Sequence, residues 1–308
     1  MKPVTKDHIL FPEYRGRLLE QITYNPSNDS LLWVDIIAGE VHRVIANDWS
    51  THEFLKWKGK DSAGCVLLTQ DDDEVIVCGK YGLAKGNFKK GSLEYFKKFD
   101  FDNGERLRSN DGYVDPWGNI WLGIMNDFQY DVKPEGKLIR IKPDLSWEVM
   151  VNESNISNGT TFSTDHKRFY WTDSLNHKVW IFDYENDNIT NKRQFVDTRA
   201  LTNTNGEPDG LTITDKNEIY QAFWGQSKVL KYSSDGKLLD EFVLPAERIS
   251  SVTIGGKDNN ILFVTTAHKL LDDENVVITT DKLGDLGGYI YAFTIKDHGV
   301  PKNKWVAQ

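Results

Sequence analysis

The sequence predicts an all-β fold of six repeated sheets, on three observations. Helical periodicity is nearly absent, and short alternating or wholly apolar runs recur instead, each bounded by Gly, Asn, Asp or Pro. The runs fall into about six copies at a spacing of roughly 43–50 residues, the length of one four-stranded blade. Each copy pairs an apolar run with a following one that ends in aromatics or β-branched residues. Together these predict a six-bladed β-propeller closed into a ring.

The copies can be followed in order. Run 31–35, with Trp33 and Val34, leads through Gly39 to 41–44; run 74–78 leads through Gly82 to 93–96. Run 119–123, with Trp121, leads through Gly136 to 138–141, and run 168–173, with Tyr170 and Trp171, leads to 178–182. Runs 218–222 and 261–265 lead to 228–232 and 288–293. The first run of each copy reads as the inner strand and the second as the middle strand. Their aromatics read as packing between blades rather than as a ligand cage. No linker or composition shift interrupts the chain, so one domain is expected over residues 1–308. The longest insertion, His268 to Gly287, reads as a surface loop. The ring closes through 5–11 or through 304–307, and the sequence leaves both open.

Composition narrows the function classes. A net charge of −9 over 308 residues argues against a nucleic-acid partner, which needs a basic face. The acidic run Asp71, Asp72, Asp73, Glu74 reads as a solvated turn. No apolar run approaches the roughly 20 residues of a membrane helix, and the first residues carry no secretory apolar stretch, so a cytoplasmic location is expected. Cys65 and Cys78 sit in apolar strands and form no disulfide framework. The seven histidines are scattered, with His166 and His177 expected to be exposed. No nucleophile elbow, phosphate loop or dinucleotide fingerprint is present.

Three polar segments stand out: Asn110-Asp111-Gly112, Asn158-Gly159 and Pro208-Asp209-Gly210. Each reads as a tight turn ahead of a hairpin, able to aim polar side chains at one point. Glu20 adds a carboxylate amid apolar strand residues of the first copy. Taken singly, these are an edge carboxylate and ordinary turn residues. Their recurrence at matching places makes Glu20, Asn158 and Asp209 candidates to share one ion at an end of the central channel. All are oxygen donors, which suits Ca²⁺, Mg²⁺ or Mn²⁺; zinc accepts carboxylates, but no His pair or Cys cluster supports it.

Further residues carry a resemblance. The third copy holds Arg108, Ser109, Asn110, Asp111, Gly112, Asp115, Pro116, Gly118, Trp121, Gly123 and Met125. The first holds Glu20 ahead of Leu32, Trp33, Val34 and Asp35, with Gln21 and Ile22 where the family pattern has Gly-Pro. Segments 156–159, 170–174, 208–212, 250–256 and 262–267 are similar along their length. Over nearly the whole chain this resembles the SMP-30/gluconolactonase/luciferin-regenerating-enzyme family of regucalcin-like lactonases. The resemblance implies a six-bladed propeller with one divalent metal in its channel, held by Glu20, Asn158 and Asp209. It implies substrate-oxygen contacts from Arg108 and Asn110, and places Asp127 where the family has a sugar-contacting Glu. The implied activity is divalent-metal-dependent hydrolysis of a small sugar-like or aliphatic lactone, with Asp209 as ligand and general base. Calcium is the first expectation for the cation, with zinc, manganese or magnesium as alternatives. The partner is then a small-molecule lactone, and the protein a monomer or dimer. Two other readings stand beside it: a metal- or ligand-binding scaffold without turnover, and an esterase or phosphotriesterase at the same metal.

Overall fold

The computed structural model describes residues 3–45, 51–59, 61–202, 204–271 and 284–306. Six antiparallel sheets form a ring. Five have four described strands and the last has three. Their innermost strands are Leu19–Asn25, Ala63–Leu68, Leu107–Val114, Ser157–Phe162, Glu207–Ile213 and Arg248–Gly255, which we assign to blades 1 to 6. Every residue of Leu19–Asn25, Ala63–Leu68 and Ser157–Phe162 is buried, whereas outer strands such as Ser92–Lys98 alternate with solvent. Trp33, Trp121 and Trp171 are fully buried, and Trp121 and Trp171 share one cluster with Phe162 and Phe169 from adjacent blades.

The runs that read as inner strands are the second strands of their blades, such as Ser30–Asp35 and Ile120–Asn126. The reason is steric. Neighbouring innermost strands approach so closely at the channel that they need glycine. A Cβ on Gly64 would lie 2.5 Å from the Ser109 carbonyl oxygen, and one on Gly159 would lie 2.7 Å from the Leu211 nitrogen. Innermost strands therefore lack the continuous apolar signal that marks a strand, and the next strand out carries it.

The N-terminal segment closes the ring. Ile9 bridges Tyr291, and the Leu10 amide donates to the Ile290 carbonyl at 2.9 Å, extending the strand Ile290–Thr294 of blade 6. The C-terminal segment instead crosses the far end of the channel, past the ends of the innermost strands. Gly299 bridges Thr214, Asn303 donates to the Val114 carbonyl at 2.9 Å, and the Trp305 amide donates to Leu68 at 2.7 Å. The acidic turn at 71–74 clamps as well as faces solvent: Asp72 accepts from Asn25 and Lys304, and Asp73 pairs with Arg43. Cys65 and Cys78 are free, buried and paired across their strands. His177 is buried rather than exposed, its Nδ1 against the Gly206 carbonyl at 2.9 Å. Most of the insertion after His268, residues 272–283, lies outside the described residues. Among those described, no helix is long and apolar enough to cross a membrane.

Candidate active site

Each innermost strand slips register near its start. The shifts fall between Glu20 and Thr23, Ala63 and Cys65, Ser109 and Gly112, Ser157 and Thr160, Pro208 and Leu211, and Ile249 and Ser251. A bulge takes its extra residue off the ladder and re-aims side chains. Here it carries Asn110, Asn158 and Asp209 to the channel, and Glu20, opposite Val34, is the last residue in register before its own bulge. The segments that read as turns are therefore bulges inside strands. Turns and bulges draw on the same Asn, Asp and Gly chemistry, so composition does not separate them.

Gln21 sits in such a bulge with φ +48°, a left-handed backbone that favours glycine. Its side chain gives it a role. Nε2 donates to the Gly112 carbonyl at 2.7 Å, and Oε1 accepts from Thr23 Oγ1 at 3.2 Å. Blade 1 is thus tied to blade 3 next to Glu20.

A cavity of about 260 Å³ opens at this end, and its lining brings together Glu20, Arg108, Asn110, Asn158 and Asp209. Asp127 does not line it; its buried carboxylate pairs with Lys80 at 2.8 Å and acts on Arg108 only through its charge. The lining adds polar residues that the sequence reading missed, Ser174, Glu207 and Arg248. It also adds an apolar set: Leu18, Ile36, Met125, Phe128, Ile156, Trp224 and Leu271. Strand alternation was the available signal for Glu207, two positions before Asp209. No local signal marked Trp224 or Arg248. A larger cavity of about 400 Å³ lies towards the far end, beside Tyr24, Lys257 and Lys302, and contains none of the site residues.

The electrostatics are those of crowded, buried carboxylates. Burial, then the charge of Asp111, pushes Glu20 up to about 8, against the Gln21 amide and Arg108. Asp209 is held well above its ordinary range by burial, then by Glu20, Asp111 and Glu207; a hydrogen bond from Asn158 opposes this. Its Oδ1 is buried with no hydrogen-bond partner. Arg108, one of two arginines in the lining, is lowered to about 10 by burial despite the acidic groups around it. Its Nη1 donates to Ser109 O and Asn110 Oδ1, both at 2.9 Å, and Phe128 covers the guanidinium at 4.4 Å. Asn110 donates in turn to the Ser157 carbonyl at 3.1 Å.

An orphaned carboxylate oxygen beside a second buried carboxylate and an amide suits a hard divalent cation. Among the described residues no group of three or more His, Cys, Asp or Glu is arranged to hold a metal. A cation here would need the Asn158 amide, and would keep positions open for water or substrate.

Residues 18–268 match the family described as the SMP-30/Gluconolactonase/LRE-like region. The chain belongs to this family. The matched span starts at Leu18 on the cavity wall and takes in every candidate site residue. The chain is 44% identical over 332 residues to the Cell growth-regulated gene 1 protein of Candida albicans, covering 98% of each. It is 30% identical over 242 residues to a 6-deoxy-6-sulfogluconolactonase of Pseudomonas putida, covering 78% of this chain and 79% of that one. Its fold matches the calcium-binding protein regucalcin of Agrobacterium tumefaciens with a TM-score of 0.83 at 20% identity, over 97% of this chain and 96% of that one. The SMP-30/gluconolactonase fold thus supplies the ring, and this chain's own side chains fill it.

Proposed function

We propose that this protein is a divalent-cation-dependent lactonase. The observation that carries the reading is Asp209: a buried carboxylate with an unpartnered oxygen, beside Asn158 and in the field of Glu20, in the lining of the cavity. The lactonase named among its relatives supports the reaction class. Glu20, Asn158 and Asp209 hold the cation, with calcium first among the candidates. When bound, the cation polarises the lactone carbonyl and steadies the charge that develops on its oxygen.

The chain's own groups do the rest. Asp209 takes a proton from water as the water oxygen bonds to the carbonyl carbon. The ring carbon–oxygen bond then breaks, and Asp209 returns the proton to the departing ring oxygen, giving a hydroxy acid. Burial and neighbouring carboxylates raise Asp209's proton affinity, which offsets the drop that a nearby cation imposes. Arg108 orients the substrate through its remaining N–H groups, and Asn110 fixes Arg108.

The experiment is a pH-indicator assay on chelator-stripped protein, with Ca²⁺, Zn²⁺, Mn²⁺ or Mg²⁺ returned singly, against lactones and aryl esters. Cation-restored lactone opening, absent in Asp209→Ala, supports the reading. Full activity in Asp209→Ala, or tight cation binding with no turnover, rejects it.

A further inference from the structure

We infer that the substrate is a lactone bearing an apolar substituent, rather than a polyhydroxylated one; the inference rests on the lactonase reading and names its substrate class. Beside its polar groups the cavity has extended apolar walls. On one side Leu18, Ile36 and Leu271 belong to a single buried cluster that Trp224 joins at its edge. On another, Met125 and Ile156 are bridged to each other and complete the wall. Phe128, 47% exposed, stands at the rim over Arg108, and Trp224 carries the Arg248 guanidinium at 5.4 Å.

A polyol needs a partner for each hydroxyl that it buries, and an unmet hydroxyl is costly. Apart from Glu207 and Arg248, the polar groups nearest these walls are already engaged. Asn110 spends its oxygen on Arg108 and its amide on Ser157. Ser174 accepts from Asn158 at 3.1 Å. Asp127 is held by Lys80, away from the lining. Hydroxyls on the ring substituent would therefore find partners only at Glu207 and Arg248 and elsewhere would face aliphatic carbon. An alkyl or aryl substituent would instead bury apolar area against those walls. The volume agrees: about 260 Å³, at ~30 Å³ per water-sized group, holds on the order of nine such groups, more than a bare lactone ring requires.

The test measures kcat/KM for γ-lactones whose alkyl chain grows from methyl to hexyl, and for aldonolactones of the same ring size, with cation present. We expect the alkyl series to exceed the aldonolactones by at least ~10-fold. Each added methylene should raise kcat/KM by about 4-fold until the chain reaches the rim. Phe128→Ser, at the half-exposed rim, should lower the alkyl-to-aldonolactone ratio by about 10-fold. A flat series, or faster opening of the aldonolactones, overturns this inference and leaves the lactonase reading standing. No opening of any lactone overturns both.

Discussion

Arg108 donates Nη1 to Oδ1 of Asn110 at 2.9 Å, two residues along the same strand. Both side chains are buried, and Phe128 covers the guanidinium face. Asn110 therefore acts here as a holder of Arg108, with its amide anchored on the neighbouring blade. Lysine keeps the charge and loses the fork. Arg108→Lys should lower kcat/KM about 30-fold, the scale of a hydrogen bond to a charged group. Asn110→Ala should cost nearly as much, and the double variant little more than either alone. A double-mutant cycle on kcat/KM checks this, and full additivity would separate the two residues.

The pair Glu20 and Asp209 makes a stability prediction that needs no substrate. Both folded-state pKa values lie above their ordinary ones, chiefly through burial. The folded chain thus holds protons that the unfolded chain has released, so folding loses stability as pH rises through that window. Chelated protein should melt at progressively lower temperature from about pH 5 to about pH 8, where Glu20 is half ionised. Glu20→Gln should flatten that decline and melt higher than the parent near pH 8 without cation. With calcium added the order should reverse, because a cation that binds only the folded state raises Tm and the variant would lack one of the proposed ligands. Thermal melts across pH with and without chelator decide it.

The C-terminal crossing supplies a third test. Lys302 reaches over the Tyr113 ring at 5.6 Å, and its charge favours ionisation of Asp111, which burial otherwise opposes. Lys302→Met should destabilise the fold by about 1–3 kcal/mol, the cost of leaving a buried polar group poorly compensated. Asp111→Asn in the same background should recover most of that. Urea denaturation of the two variants measures both changes.

Close approach at the channel gives a fourth. A Cβ on Gly112 would lie 2.6 Å from Sγ of Cys65. Gly112→Ala should cost about 1–3 kcal/mol through overpacking. Adding Cys65→Ala removes the opposing sulfur and should recover part of that loss, measured in the same urea titrations.

The repeat was legible because second strands carry continuous apolar runs with a buried Trp or Tyr, as at Trp33, Trp121 and Tyr170. The innermost strands were harder to read, since Gly64, Gly159 and Gly210 trade side chains for close approach. Residues that project from bulges could be found by composition, as Asn158 and Asp209 were, but composition assigned them to turns. Asp127 shows the limit of positional transfer: a carboxylate stands near the expected place, yet Lys80 holds it. Ring closure was ambiguous because both termini offer strand-like residues. Only the pairing of Ile9 with Tyr291 and of Trp305 with Thr69 assigns them to opposite tasks.

The most direct test of the central claim is calorimetric titration of calcium into chelator-treated wild type and Asp209→Ala, with lactone turnover measured on the same samples. Wild type should bind calcium stoichiometrically and turn over lactone only with it, and a folded Asp209→Ala should lose both. Unchanged calcium affinity and unchanged turnover in Asp209→Ala would contradict it.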